Sequence, residues 1–118
     1  MGITGHSLRI TVAYKAQYTN PITVNKGEKV SIGREDDEYP GWRWCGACDG
    51  GEGWVPVELL SHESGEAMIL QDYSSRELTV LPDERVVLED ARHGWLLVRT
   101  ANGERGWIPA QHAEKTCD

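Results

Sequence analysis

The side chains with the greatest chemical reach lie in one stretch, Trp42 to Pro56, and in its echo, Trp95 to Pro109. The first holds Trp44-Cys45-Gly46-Ala47-Cys48, two thiols at the spacing used for dithiol–disulfide chemistry. That chemistry needs a thiolate stabilised at a helix N-terminus, with the second sulfur beside it. Here the pair lies on an extended run entering an Asp49-Gly50 turn, with no helix following. On a strand, residues three apart face opposite sides with Cα atoms roughly 10 Å apart, outside disulfide reach. Cys45 aligns with Val98 of the echo and Cys48 with Ala101, so a buried, inert Cys45 and an exposed Cys48 are expected, both reduced. A zinc site would need two further ligands, and Cys117 with His62, His93 or His112 lacks zinc-like spacing. The four His show no metal or triad order, and the glycines mark turns instead of a phosphate-binding loop. The expectation is a chain without catalytic residues, metal or cofactor.

What remains is aromatic and acidic. The chain has five Trp, four Tyr and no Phe. Trp42 and Trp95 are candidates to face a ligand, because Trp is enriched at recognition surfaces; Trp54, Trp107 and Trp44 suit packing better. The run Glu35, Asp36, Asp37, Glu38 stands next to Trp42 and would select basic groups.

The elements that position these residues follow from a duplication. Gly41-Trp42, Gly50, Gly53-Trp54 and Pro56 return as Gly94-Trp95, Gly103, Gly106-Trp107 and Pro109, 53 residues on without a gap. Each copy reads as a hairpin, with one Trp on either strand and an Asp-Gly or Asn-Gly turn between them. Leu8 to Tyr18 alternates as a strand, Ile22 to Val24 and Lys29 to Ile32 are short strands, and Val57 to Leu60 could hold one helical turn. Ser61 to Gly65 reads as a linker. Ala67 to Tyr73, Leu78 to Val80 and Arg85 to Leu88 then repeat the series, and Ala110 to Asp118 reads as a polar tail. Short strands with frequent turn signals and no long helical period indicate an all-β chain: two small β-barrels in tandem, residues 7–60 and 66–114.

Composition bounds the partners. Twelve Lys and Arg against 19 Asp and Glu give a net charge of −7, which argues against nucleic acid or an anionic membrane. No apolar run reaches the length of about 18 residues that suggests a membrane span. Met1 to Ser7 lacks a secretory pattern, and His6 stands where a myristoylation start has Ser or Thr. A cytoplasmic setting is expected.

Taken in order, Asp72-Tyr73, Glu77-Leu78-Thr79-Val80, Gly94-Trp95 and Gly106-Trp107-Ile108-Pro109 resemble the Src homology 3 (SH3) domain with its ALYDY, ELSF, GWW and GxxP motifs. The first copy is similar through Tyr18, Ile22 to Val24, Gly27-Glu28, Gly41-Trp42 and Gly53 to Pro56. The pairing resembles bacterial tandem variant SH3 proteins. The resemblance implies a non-enzymatic binding or adaptor module whose aromatic grooves hold an extended, proline-containing peptide or protein segment. It implies one groove at Tyr18, Trp42, Trp54 and Pro56, and a second at Tyr73, Trp95, Trp107 and Pro109. Glu77 matches the acid that pairs with a ligand arginine. There are departures. Leu59 and His112 replace the groove tyrosine after the Pro, Ala16 and Gln71 replace the first ALYDY tyrosine, and Pro21 replaces the acid in the first copy. The loops after Tyr18 and Tyr73 are both shorter than the family's. The sequence therefore points to a protein or peptide ligand with basic residues. Two alternatives are a structural unit with its Trp faces buried between barrels or across a homo-oligomer, and a thiol-redox protein using Cys45 and Cys48.

Overall fold

In a computed structural model that describes residues 6–17, 20–62 and 65–116, the chain is all-β. The strands are β1 (Ser7–Ile10), β2 (Thr23–Val24), β3 (Lys29–Glu35), β4 (Trp42–Gly46), β5 (Glu52–Pro56), β6 (Gly65–Met68), β7 (Tyr73–Ser74), β8 (Arg85–Arg92), β9 (Trp95–Arg99), β10 (Arg105–Pro109) and β11 (Ala113–Lys115). A 3₁₀ turn follows each hairpin, Val57–Leu59 after β5 and Ala110–His112 after β10. The second turn and β11 occupy the stretch expected to be a polar tail.

The strands fall into two compact units. One is formed by Tyr18–Arg76. The other is formed by Met1–Gln17 together with Glu77–Asp118. These bounds cross the repeats at 7–60 and 66–114, and the sheets show why. In the discontinuous unit the order is β10-β9-β8-β1-β11, all antiparallel, so β1 of the first repeat lies between two strands of the second. In the continuous unit the order is β5-β4-β3-β6, and β6 of the second repeat pairs with β3 of the first. Each repeat hands its opening strand to the body of the other. The stretch read as a linker lies inside the continuous unit instead of between units, and its described flanks pair with each other: Leu60 bridges Ile69 and Ser61 N–H donates to Met68 C=O (3.0 Å). Glu63 and Ser64 of that stretch lie outside the described residues.

The exchanged strands sit in equivalent places. Ile10 N–H donates to Glu84 C=O (2.9 Å) and Asp83 N–H to Ile10 C=O (2.8 Å). Ile69 N–H donates to Glu28 C=O and Gly27 N–H to Ile69 C=O, both at 2.8 Å. Gly27 and Asp83 both take a positive φ, 94° and 73°, to make this clasp, and a side chain is rare there unless it is Gly, Asn or Asp. With Ile10 matched to Ile69, Tyr14 matches Tyr73: Tyr14 bridges Val80, and Tyr73 pairs with Val24.

Alternation builds both cores. In the discontinuous unit Leu8, Ile10, Leu78, Val80, Val86, Leu88, Val98 and Ile108 form one buried cluster. On the outer face of β1, Arg9 bonds Asp83 (2.9 Å) and Glu114 (2.5 Å). On β8, Glu89 joins Arg99 (3.0 Å) and Arg105 (2.5 Å). Partial burial would raise the Glu89 carboxyl, but these two hydrogen-bonded guanidinium groups outweigh it and hold its pKa below the ordinary value. In the continuous unit Ile22, Val24, Val30, Cys45, Val55, Ala67 and Ile69 are buried. Gly53 is required there by space, since a Cβ would meet Ser75 Oγ at 2.3 Å.

Candidate functional site

The two hairpins share one register: Trp42 pairs with Pro56 and Trp44 with Trp54, as Trp95 pairs with Pro109 and Leu97 with Trp107. In each unit the first N–H after the Pro caps the strand before the Trp: Val57 donates to Gly41 C=O and Ala110 to Gly94 C=O, both at 2.9 Å. Trp and 3₁₀ turn are thereby held side by side twice.

In the discontinuous unit this places His112, at the end of its 3₁₀ turn, beside the exchanged segment. The Tyr14 ring lies 5.7 Å from the Trp95 ring at 81° and 5.5 Å from the His112 ring at 87°, both edge-to-face. His112 Nδ1 is 3.1 Å from Ala13 C=O. Tyr14 Oη donates to Glu77 Oε1 (2.8 Å), which also accepts Gln17 N–H (2.9 Å). Tyr14, Glu77, Trp95 and His112 are all partly exposed, while Pro109 behind them is buried. Of the residues expected for the second groove, Trp95, Pro109 and Glu77 come together here. Trp107 instead enters the core, 4% exposed, with its C=O accepting Leu78 N–H (3.2 Å). Tyr73 belongs to the continuous unit, and Tyr14 stands in its stead. A signal for Tyr14 was present, since it continues the inward phase of Leu8 and Ile10.

The continuous unit is arranged differently. Trp42 is 4% exposed, Leu59 4% and Tyr73 9%, and Pro56 is fully buried. Tyr73 Oη donates to Trp54 C=O (2.7 Å). Tyr18 lies outside the described residues. Trp54 is partly exposed, edge-to-face with Trp44 (5.1 Å, 76°) and covered by the Arg34 guanidinium 4.9 Å from its ring. The acidic loop carries its own structure: Glu35 Oε2 accepts Gly41 N–H (3.3 Å), and Asp36 Oδ1 accepts Glu38 N–H (3.0 Å). Within it the Tyr39 phenol is pushed above its ordinary pKa, first by burial and then by Glu38 and Asp36.

Cys45 is fully buried on β4 and Cys48 is exposed, both as free thiols. Burial pushes the Cys45 thiol up to about 11, against a small opposing pull from Arg43. A nucleophilic dithiol requires the opposite shift. Among the described residues no group of three His, Cys, Asp or Glu is placed to hold a metal, and no helix is long and apolar enough to cross a membrane.

The variant SH3 domain family matches residues 9–62 and again 70–115. The chain belongs to this family and carries two SH3-like repeats. No curated protein and no solved structure matches it. SH3 domains generally mediate binding to proteins or peptides and are typically non-catalytic. The family matches run along the sequence repeats, so the exchange of opening strands is a property of the fold that they do not display.

Proposed function

We propose that the chain is a binding module, and that its ligand-accepting groove is the one in the discontinuous unit, lined by Tyr14, Trp95 and His112 over Pro109 and edged by Glu77. The carrying observation is the contrast between the two aromatic sets. Tyr14, Trp95 and His112 stand edge-to-face and partly exposed, whereas Trp42, Leu59, Pro56 and Tyr73 are buried. Flat aromatic faces suit an extended peptide that has little entropy left to lose, above all one rich in proline. Glu77 gives the groove its charge preference. A carboxylate has about four lone-pair sites, so two donors on Oε1 do not exhaust it for a ligand Arg or Lys. The favoured ligand is therefore an extended protein segment with proline and basic residues, and the net charge of −7 aids its approach in a salt-dependent way.

A second reading applies to the other unit. The burial of Trp42, Leu59, Pro56 and Tyr73 favours a structural role for that aromatic set.

Titration of proline-containing basic, neutral and acidic peptides, followed by tryptophan fluorescence, tests the groove. Basic peptides should bind most tightly and weaken as salt rises. Trp95→Ala should remove roughly 1–3 kcal/mol of binding, the range of a modest aromatic hot spot. Trp54→Ala, outside this groove, should change binding little. Equal affinity for basic and acidic peptides, or unchanged affinity in Trp95→Ala, would refute the reading.

A further inference from the structure

The discontinuous unit is incomplete without a strand that arrives from far along the chain. β1 is hydrogen-bonded on both sides, to β8 and to β11, so its removal would open two edges and empty the places of Leu8 and Ile10 in the buried cluster. We infer that a second copy of this chain can supply this strand, residues 7–17, so that two chains join by reciprocal exchange and each groove then receives the partner's Tyr14.

Three observations carry this. The strand has already left its own repeat, and the clasp that receives it is backbone-made. Ile10 with Glu84 and Asp83 repeats the bonds of Ile69 with Glu28 and Gly27, so docking depends on the slot and not on proximity in sequence. The slot also selects its occupant. Arg9 reaches Asp83 on one side and Glu114 on the other, while the place matching Arg9 in the continuous unit holds Met68. Leu8 fills the core position that Ala67 fills in the other unit, so the two donors differ in volume as well as charge. The fitting occupant is β1, from this chain or from another copy. Finally, the passage out of the slot is short. Gln17 N–H is held by Glu77 in one unit and Ile22 N–H by Ser75 Oγ (3.0 Å) in the other, and only four residues separate these two anchors in the sequence. Exchange of an identical element between copies is a low-cost route to a dimer, and the short connection sets the concentration at which it competes.

Mass action sets the regime. A short tether gives its strand an effective concentration in the millimolar range, so exchange between chains competes only as protein approaches that concentration. It also requires the unit to open, so refolding from denaturant is the route to it.

Ser7 and Val87 face each other across β1 and β8, and replacing them leaves Arg9 in place. Ser7→Cys with Val87→Cys, in a background of Cys45→Val, Cys48→Ser and Cys117→Ser, reports which chain donates the strand. After refolding and mild oxidation, cross-linked monomer should dominate at micromolar protein. Cross-linked dimer should rise to a comparable fraction near millimolar protein. Cross-links confined to single chains at every concentration would overturn the inference. So would a dimer in native mass spectrometry whose cross-links all lie within chains. If the cysteine variant folds poorly, the wild-type chain refolded at millimolar concentration still decides, since it must yield a dimer separable by size exclusion. The exchange rests on topology, and only the role of the partner's Tyr14 rests on the groove reading. Failure of the cross-link therefore sinks the exchange, while failure of peptide binding sinks the groove.

Discussion

Replacing Ile10 by Ala should damage the half of the molecule that sequence order would spare. Ile10 belongs to the first repeat, yet it is fully buried among Leu78, Val80, Val86, Leu88, Val98 and Ile108 of the second. The substitution removes three carbons, worth about 0.8 kcal/mol each by transfer, and leaves a cavity in a packed cluster. The sum is about 3–4 kcal/mol, within the usual range for Ile→Ala in a core. A loss of 3 kcal/mol lowers amide protection by roughly a hundredfold, since each tenfold corresponds to about 1.4 kcal/mol. Hydrogen exchange read by mass spectrometry localises the loss. Peptides covering β8 to β11 should lose about two orders of magnitude in protection, while those covering β3 to β5 should change little. Ile69→Ala should give the mirror pattern, because Ile69 is fully buried in the continuous unit. If Ile10→Ala instead exposes β3 to β5 and leaves β8 to β11 protected, β1 does not belong to the discontinuous unit and the strand exchange is refuted.

Other outcomes follow from single sites. Cys45, with a folded pKa near 11 against an ordinary 9.0, keeps its proton in the folded state after the unfolded chain has lost it. Stability should therefore fall as pH rises from about 9 to 11, by roughly 2–3 kcal/mol at most, and Cys45→Val should remove that slope in denaturant titrations at each pH. A thiol reagent should label Cys48 quickly and Cys45 only on unfolding. Gly53→Ala would drive a Cβ to 2.3 Å from Ser75 Oγ and 2.9 Å from Ser75 Cβ. About 1–3 kcal/mol of stability should be lost in the continuous unit, with partial recovery in Gly53→Ala, Ser75→Gly. Recovery failing altogether would mean that the contact with Ser75 is not the cause.

The parts of the fold that sequence made legible are local. Each hairpin is fixed by neighbours: Trp strand, Gly50 or Gly103 at positive φ, then the Trp-x-Pro strand. Its repetition announced two SH3-like bodies, and the alignment of Cys45 with Val98 placed that thiol in the core. Partner choice over long sequence separations was not legible. Two opening strands with the same inward phase, Leu8-Ile10-Tyr14 and Ala67-Ile69-Tyr73, meet two slots with the same backbone clasp, and the groups that tell them apart, Asp83 and Glu114 around Arg9, lie 74 and 105 residues from it in sequence. The groove reading inherited that ambiguity. The repeat alignment matches Tyr18 to Tyr73, and Tyr18 lies outside the described residues; the clasp at Ile10 and Ile69 makes Tyr14 the structural counterpart of Tyr73. The strand at Ala113–Lys115 was hidden for the same reason, since among the described residues it pairs with β1, far away in sequence.

One sequence feature did point to the exchange, namely the short loops after the opening strands. In an unexchanged repeat the chain must turn between Tyr73 and Leu78 and still seat both in one body, Tyr73 beside its strand partner and Leu78 in the core. Only Ser74 to Glu77 are available for that reversal. In the folded chain the boundary between the two units falls within these residues, after Arg76. Ser75 stays in the continuous unit through Ile22, and Glu77 is anchored in the other through Tyr14 and Gln17. A loop too short to fold back becomes a passage onward, and the strand before it is left to complete a different body. The same step sets the composition of the groove. Because the opening strand is handed over, the aromatic wall beside Trp95 and His112 is Tyr14 of the first repeat. The proposed groove therefore draws on both repeats, and its Tyr14 wall is in place only when residues 7–17 have docked.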